Sequence, residues 1–278
     1  LPSQSNLRCQ CLLGADWSLP ASPLGGLAGT YLIGPNVLGN GYSTTFVCAF
    51  VLTSLGLSAL QILLREPEPP TTRPQGRFRD RVREFPALIR QDRGYAFFLL
   101  VQMLATSARI ATPFYILYVG TAIHVTPAVL GLLTAAFLGA DTVSNLVWGY
   151  LGDKTGFRLV LLISLVMWVA ATALLMSEHT VPAVFASFFG LGAAQAGYNM
   201  AAQTMILEFG AREDLPMRIA VSATAESITA TLGPLIGGQV ADHFGYGVVF
   251  GASIGFLAAA LLILVAAVRE PRRRLASA

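Results

Sequence analysis

Apolar runs of roughly 20 residues recur along this chain, and they restrict its fold more than any other feature. A run of that length crosses a hydrocarbon core of about 30 Å as an α-helix, whose backbone polar groups bond one another inside the lipid. Charged residues make up only 12% of the chain, against about 25% in a soluble domain. The pattern predicts an all-α, polytopic transmembrane helical bundle with about eight membrane helices, at 22–40, 43–64, 95–119, 127–151, 158–176, 181–208, 217–242 and 246–268.

The basic residues follow the alternation that such a bundle requires. Arginines crowd the connection between the second and third segments, and the C-terminal tail is also basic. The connections at 119–127, 177–180 and 242–245 contain no Lys or Arg. Because cytoplasmic loops carry an excess of Lys and Arg, we expect the Arg-rich connection and the C-terminus to be cytoplasmic, in a plasma membrane or a cell inner membrane.

The chain also contains an internal repeat in a single register. Gly29, Gly34, Gly41, Tyr42 and Phe46 align with Gly233, Gly238, Gly245, Tyr246 and Phe250, and Arg65-Glu66-Pro67 aligns with Arg269-Glu270-Pro271. Repeats that run in the same direction indicate a duplicated bundle related by an axis along the membrane normal. We therefore expect an incomplete chain, with an unplaced stretch at 1–21, the last two helices of an N-terminal bundle at 22–67, a cytoplasmic loop at 68–94, a six-helix C-terminal bundle at 95–271 and a cytoplasmic tail at 272–278.

A glycine-rich charged phrase lies in the cytoplasmic turn between the fourth and fifth segments: Gly149-Tyr150-Leu151-Gly152-Asp153-Lys154-Thr155-Gly156-Phe157-Arg158. It resembles the G-x-L-[GA]-D-[RK]-x-G-[RK]-[RK] signature of the major facilitator superfamily, in the copy that follows the second helix of the second half. Phe157 departs from it by replacing the first basic residue of the closing pair. An ordinary charged turn is the alternative interpretation.

The resemblance covers about residues 22–271 and implies a transporter whose two bundles alternate access to a central cavity. It implies that this turn acts as a conformational switch by holding the two halves together in one state. The switch residues would be Gly149, Gly152, Asp153, Lys154, Gly156 and Arg158. A second phrase of the same superfamily, at Gly233, Pro234, Gly237 and Gly238, predicts a kink and a close helix-packing surface.

Polar side chains inside the segments indicate where the cavity lies, since they are costly in lipid and usually face the bundle interior. The candidate solute or proton cavity is lined by Gln102, Arg109, Asp141, Asn145, Gln195, Asn199, Gln203 and Glu226. Gln102, Thr106 and Arg109 share one helical face. Arg109 and Asp141 are placed to pair, either as a structural ion pair or as a substrate or proton site. Glu226 has no obvious partner in the sequence, so a proton carrier, a gate and a packing role all remain open.

Two other features have simpler explanations. Phe78, Val82, Phe85 and Ile89 recur on one face of the Arg-rich loop, which predicts an amphipathic helix at the membrane surface. Topology already accounts for these arginines, so a nucleic-acid partner is not predicted. Cys9 and Cys11 lack further ligands at zinc-like spacing, so no metal site is predicted.

The function that these features favour is a permease that moves a small organic solute by alternating access, with proton coupling left open. Transport needs no cofactor and no catalytic residue, and the sparse charge favours a neutral, amphiphilic or cationic solute over a polyanion. A truncated remnant that inserts in the membrane but does not transport alone is one alternative. A receptor with seven helices is another, whereas a membrane enzyme is disfavoured because the sequence has no H-E-x-x-H motif.

Overall fold

The computed structural model describes residues 41–63, 90, 92–123, 127–209 and 214–268. The first predicted segment and the amphipathic helix of the Arg-rich loop lie outside these residues. Within the described ranges the regular structure is entirely helical, as predicted. The helices are α1 (Gly41–Leu63), α2 (Arg93–Ala108), α3 (Thr112–Ala122), α4 (Pro127–Thr155), α5 (Phe157–Ser177), α6 (Val181–Glu208), α7 (Leu215–Phe244) and α8 (Tyr246–Ala267).

These bounds follow the hydrophobic runs, because a helix in lipid ends where the apolar residues end. Helix α1 belongs to one compact unit and α2 to α8 belong to a second. Within the described residues, five helical stretches are long and apolar enough to cross a membrane: Arg93–Thr121, Val129–Thr155, Phe157–Ser177, Leu215–Phe244 and Tyr246–Ala267. Helix α6 is as long as these, but its small and amide residues lower its hydropathy, and it packs between α4 and α5.

Small residues let α6 approach its neighbours closely. A Cβ atom at Gly192 would collide with the backbone carbonyl of Phe137 on α4. A Cβ atom at Gly197 would collide with the Ser164 hydroxyl and the Trp148 ring. Close backbone approach of this kind is how membrane helices gain van der Waals contact, since burial from lipid supplies little driving force.

The start of α2 is tied to α7 by a partly buried ion pair. Asp92 caps α2 by accepting hydrogen bonds from the backbone N–H groups of Gly94, at 3.1 Å, and Tyr95, at 3.2 Å. Its other carboxylate oxygen lies 3.0 Å from the Arg218 guanidinium. Arg218 is only 5% exposed and also stacks on the Tyr95 ring, 4.8 Å from its centroid. The burial of Arg218 was not predicted from the sequence.

The predicted glycine packing surface on α7 is divided between two environments. A Cβ atom at Gly237 would lie 2.5 Å from the side chain of Ile110 and 3.0 Å from that of Phe114. Gly238, by contrast, has nothing within 4 Å of the corresponding position. Pro234 lies inside α7 and is exposed. Gly237 is therefore the residue of this phrase whose small size the packing uses most directly.

Candidate functional site

A polar network crosses three helices inside the α2–α8 bundle. The Gln102 Nε2 group on α2 donates a 2.7 Å hydrogen bond to Glu226 Oε1 on α7. The Tyr198 hydroxyl on α6 donates to the same carboxylate oxygen at 3.3 Å. It also lies 3.5 Å from the Thr106 hydroxyl. Glu226, which had no obvious partner in the sequence, is therefore held by side chains from two other helices.

Arg109 forms the second part of this network. Its Nη2 atom donates a 2.5 Å hydrogen bond to Asn199 Oδ1 on α6, and its guanidinium carbon lies 5.3 Å from the centroid of the Tyr198 ring. The sequence placed Asp141 opposite Arg109, and the structure adds an amide and an aromatic ring as neighbours of Arg109 that were not predicted. The reason is geometric, since the apolar runs fix the depth of each residue but leave the rotation of each helix about its axis open.

Arg109 also marks a break in the helix that the sequence predicted to be continuous from 95 to 119. Residues Arg109–Ala111 form a 3₁₀ turn between α2 and α3. Pro113 follows at the start of α3, and a proline ring lacks an N–H and clashes with the carbonyl four positions earlier, which here belongs to Arg109. The Thr112 N–H bonds to the Arg109 carbonyl, and the Ala108 carbonyl at the start of the 3₁₀ turn also accepts a 2.8 Å hydrogen bond from the Ser253 hydroxyl of α8.

The structure thus brings together four of the predicted cavity residues, namely Gln102, Arg109, Asn199 and Glu226. On α4, the Asn145 side chain donates to the backbone carbonyl of Asp141 at 2.8 Å, one turn earlier in the same helix. On α6, Gln195 is half-buried and Gln203 is exposed. The recorded side-chain hydrogen bonds of the network therefore connect α2, α6 and α7.

Tyr198 is the member of the network that sequence reasoning missed. It is 1% exposed, and its ring meets Trp168 edge-on with centroids 6.0 Å apart. Its hydroxyl connects the Glu226 part of the network with Thr106, and its ring faces Arg109. The position of Tyr198 directly beside Asn199, on the polar face of a membrane helix, was the sequence signal for its place in the network. Buried phenol groups usually find a hydrogen-bond partner.

The glycine-rich turn predicted at 149–158 is mostly helical: α4 runs to Thr155, α5 begins at Phe157, and only Gly156 lies between them. Gly156 has a φ of 96°, in the left-handed region that glycine adopts without strain. The Phe157 ring is 2% exposed and packs where a Cβ atom at Gly152 would be. The residue that departs from the superfamily signature therefore fills the space above one of its glycines.

The charged residues of this turn have different environments. Lys154 donates a hydrogen bond to the Tyr150 hydroxyl and lies 4.3 Å from the centroid of that ring. Asp153 is exposed. Arg158 donates to backbone carbonyls at the end of α8, through Nε to Val268 at 2.6 Å and through Nη2 to Leu264 and Val265 at 3.3 Å each. A cation there satisfies terminal carbonyls and matches the negative end of the helix dipole.

Long apolar helices packed through glycines, with a polar network in their interior, define a polytopic α-helical membrane protein. The family model described as Major Facilitator Superfamily matches residues 97–278, and the chain belongs to that superfamily. Members of this superfamily are membrane transporters, not enzymes in general, and they move small solutes across the lipid bilayer. A comparison with curated proteins found no match.

Proposed function

We propose that the chain acts as a secondary transporter that moves a small organic solute by alternating access, and that the polar network of Gln102, Tyr198, Arg109, Asn199 and Glu226 forms part of its solute site. The observation that carries this proposal is the convergence of these side chains from three helices. Amide and charged groups are costly at membrane depth, and they usually mark solute or ion pathways.

The helix break beside Arg109 supports the same proposal. Transporters commonly build their solute sites from interrupted membrane helices, because the interruption frees backbone groups and permits a change of angle. A 3₁₀ stretch inside a long helix often marks a functional hinge. Here the break begins at Arg109 itself, so a change of angle between α2 and α3 would move the guanidinium relative to Asn199.

Proton coupling is part of the proposal and is assigned to Glu226. Its recorded donors, the Gln102 amide and the Tyr198 hydroxyl, carry no formal charge, so protonation of the carboxylate would leave no opposing ion unpaired. Asp141 remains the second candidate, since the sequence placed it at membrane depth. The turn at 149–158 is proposed as the conformational switch, with the C-terminus in the cytoplasm.

Uptake by purified protein in liposomes tests the transport proposal. Liposomes with the chain, and protein-free liposomes, are incubated with a mixture of small metabolites under an inward proton gradient, and the contents are measured by mass spectrometry. We expect at least one solute to accumulate in liposomes that contain the wild type. Its accumulation should be lost in liposomes that contain Arg109→Gln. Glu178→Gln, an exposed carboxylate at the end of α5, is the matched control and should behave as the wild type.

The same assay separates the alternatives. Glu226→Gln should abolish the stimulation of solute uptake by the proton gradient. If Asp141→Asn abolishes that stimulation instead, the proton role belongs to Asp141 on α4. If the wild type keeps a cooperative thermal unfolding transition in the liposomes but accumulates no solute, the transport proposal is wrong. The chain would then insert in the membrane without transporting alone.

A further inference from the structure

Two buried polar atoms of the network have hydrogen-bonding capacity left over. Within the described residues, neither Gln102 Oε1 nor Arg109 Nε has a hydrogen-bond partner. Gln102 is only 3% exposed, so bulk water does not replace the missing partner. Native structures leave few buried polar atoms unpaired, because each costs about 1–3 kcal/mol, and a functional ligand is one reason for an exception.

The two atoms require opposite chemistry. Gln102 Oε1 accepts hydrogen bonds, and it belongs to the amide whose nitrogen already donates to Glu226. This part of the network, which we name the acceptor end, consists of Gln102 Oε1 and the Glu226 carboxylate, and it favours a cationic donor. Arg109 Nε is a donor on a guanidinium whose recorded neighbours, Asn199 and the Tyr198 ring, carry no formal charge. This donor end favours an anionic acceptor.

The spacing of Gln102 and Arg109 along the helix suits a small molecule with two polar groups. Gln102 and Arg109 are seven positions apart on one helical face, which corresponds to about 10 Å along the helix axis. Tyr198 lies beside both ends, with its hydroxyl 3.3 Å from Glu226 and its ring centroid 5.3 Å from the Arg109 guanidinium carbon. A solute that satisfies both atoms therefore carries its donor and acceptor groups several bonds apart, and the segment between them would lie beside the Tyr198 ring.

We infer that the solute of this site is a small zwitterion, whose ammonium group binds at Gln102 Oε1 and Glu226 and whose carboxylate binds at Arg109. The inference rests on the proposed function for its site, and it names the substrate class. It narrows the sequence-based preference for a neutral, amphiphilic or cationic solute, because a zwitterion is neutral overall. A polyanion is disfavoured, since it would place charge against the Glu226 carboxylate.

Thermal stabilisation of the detergent-solubilised full chain tests the inference with defined probes. The zwitterions are glycine, gamma-aminobutyrate and epsilon-aminocaproate, and each is compared with the carboxylate and the amine of the same carbon skeleton. We expect gamma-aminobutyrate or epsilon-aminocaproate, whose charged groups lie several bonds apart, to bind more tightly than its two singly charged analogues. Loss of a charge-assisted hydrogen bond weakens binding roughly tenfold to hundredfold, and that is the expected difference.

Variants assign the two ends. Arg109→Gln should weaken binding of the zwitterion and the carboxylate, whereas Arg109→Lys should recover part of it. Gln102→Leu should weaken binding of the zwitterion and the amine but spare the carboxylate. Gln239→Leu, at an exposed position of α7, is the matched control for Gln102 and should change neither.

The uptake assay makes the two proposals separable. Zwitterions that accumulate in the liposomes, or bind as described, support the substrate class. If only solutes without charged groups, cations or polyanions accumulate, the zwitterion inference is overturned and the transport function stands. Specific binding of zwitterions without accumulation would support the site and refute transport by this chain. Binding of gamma-aminobutyrate and epsilon-aminocaproate that is no tighter than that of their singly charged analogues, or no binding and no accumulation of any zwitterion, would also overturn the inference.

Discussion

The ion pair between Asp92 and Arg218 gives the most quantitative prediction for the stability of the bundle. Replacement of Asp92 by Ala removes the N-cap of α2, which is worth about 1 kcal/mol, and leaves a buried guanidinium without its carboxylate, which costs about 3–5 kcal/mol in a fully buried pair. The Arg218 side chain is 6% exposed but the Asp92 side chain is 21% exposed, so solvent screens part of the second term. We therefore expect Asp92→Ala to lower the free energy of unfolding by about 3 kcal/mol.

Equilibrium unfolding in mixed micelles, followed by tryptophan fluorescence, measures this loss. Asp92→Asn retains a good capping side chain but removes the charge, so the difference between the two variants isolates the cap. Arg218→Met in the Asp92→Ala background should restore much of the stability, because it removes the uncompensated charge. Asp242→Ala, at an exposed site near the end of α7, is the control. A loss for Asp92→Ala no larger than that of the control would refute the account of the pair.

Two further predictions concern close contacts between helices. Gly192→Ala should lower the free energy of unfolding by about 1–3 kcal/mol, because its methyl group would meet the Phe137 carbonyl, whereas Gly131→Ala, with nothing within 4 Å, should not destabilise the protein. Equal effects of the two substitutions would contradict the packing argument. Ser253→Ala should cost about 0.5–1.5 kcal/mol in the same assay, because it removes a buried hydrogen bond to the Ala108 carbonyl at the helix break, and no measurable loss would contradict a stabilising role for this bond.

The sequence predicted the helices of the bundle well because one property decides them. Long apolar runs must be helical in lipid, and polar or glycine-containing turns separate them. The predicted segment 181–208 coincides with α6, and the other described segments differ from their helices by a few residues at their ends. The break at Arg109–Ala111 was not predicted, although Pro113 supplied a local reason for it.

The contacts of the candidate site were harder to predict, since they depend on how each helix is rotated. Polarity selected Gln102, Asn199 and Glu226 as candidates, but it did not indicate that Gln102 would donate to Glu226. For the same reason the sequence did not identify Asn199 as a partner of Arg109, because depth alone does not specify which faces meet. The hydrogen bond from Arg109 to the Asn199 amide required the packed structure.

Phe157 stands in the glycine-rich turn where the superfamily signature has a basic residue, and this difference affects how the turn responds to ionic strength. Apolar packing of this ring against Gly152, together with the partly buried Arg158 at the carbonyls of α8, is little affected by dissolved ions. The exposed residues Asp153 and Lys154 are the parts of the turn that ions screen. Added salt should therefore weaken only what this turn binds through its outer charges, while the shape of the turn persists.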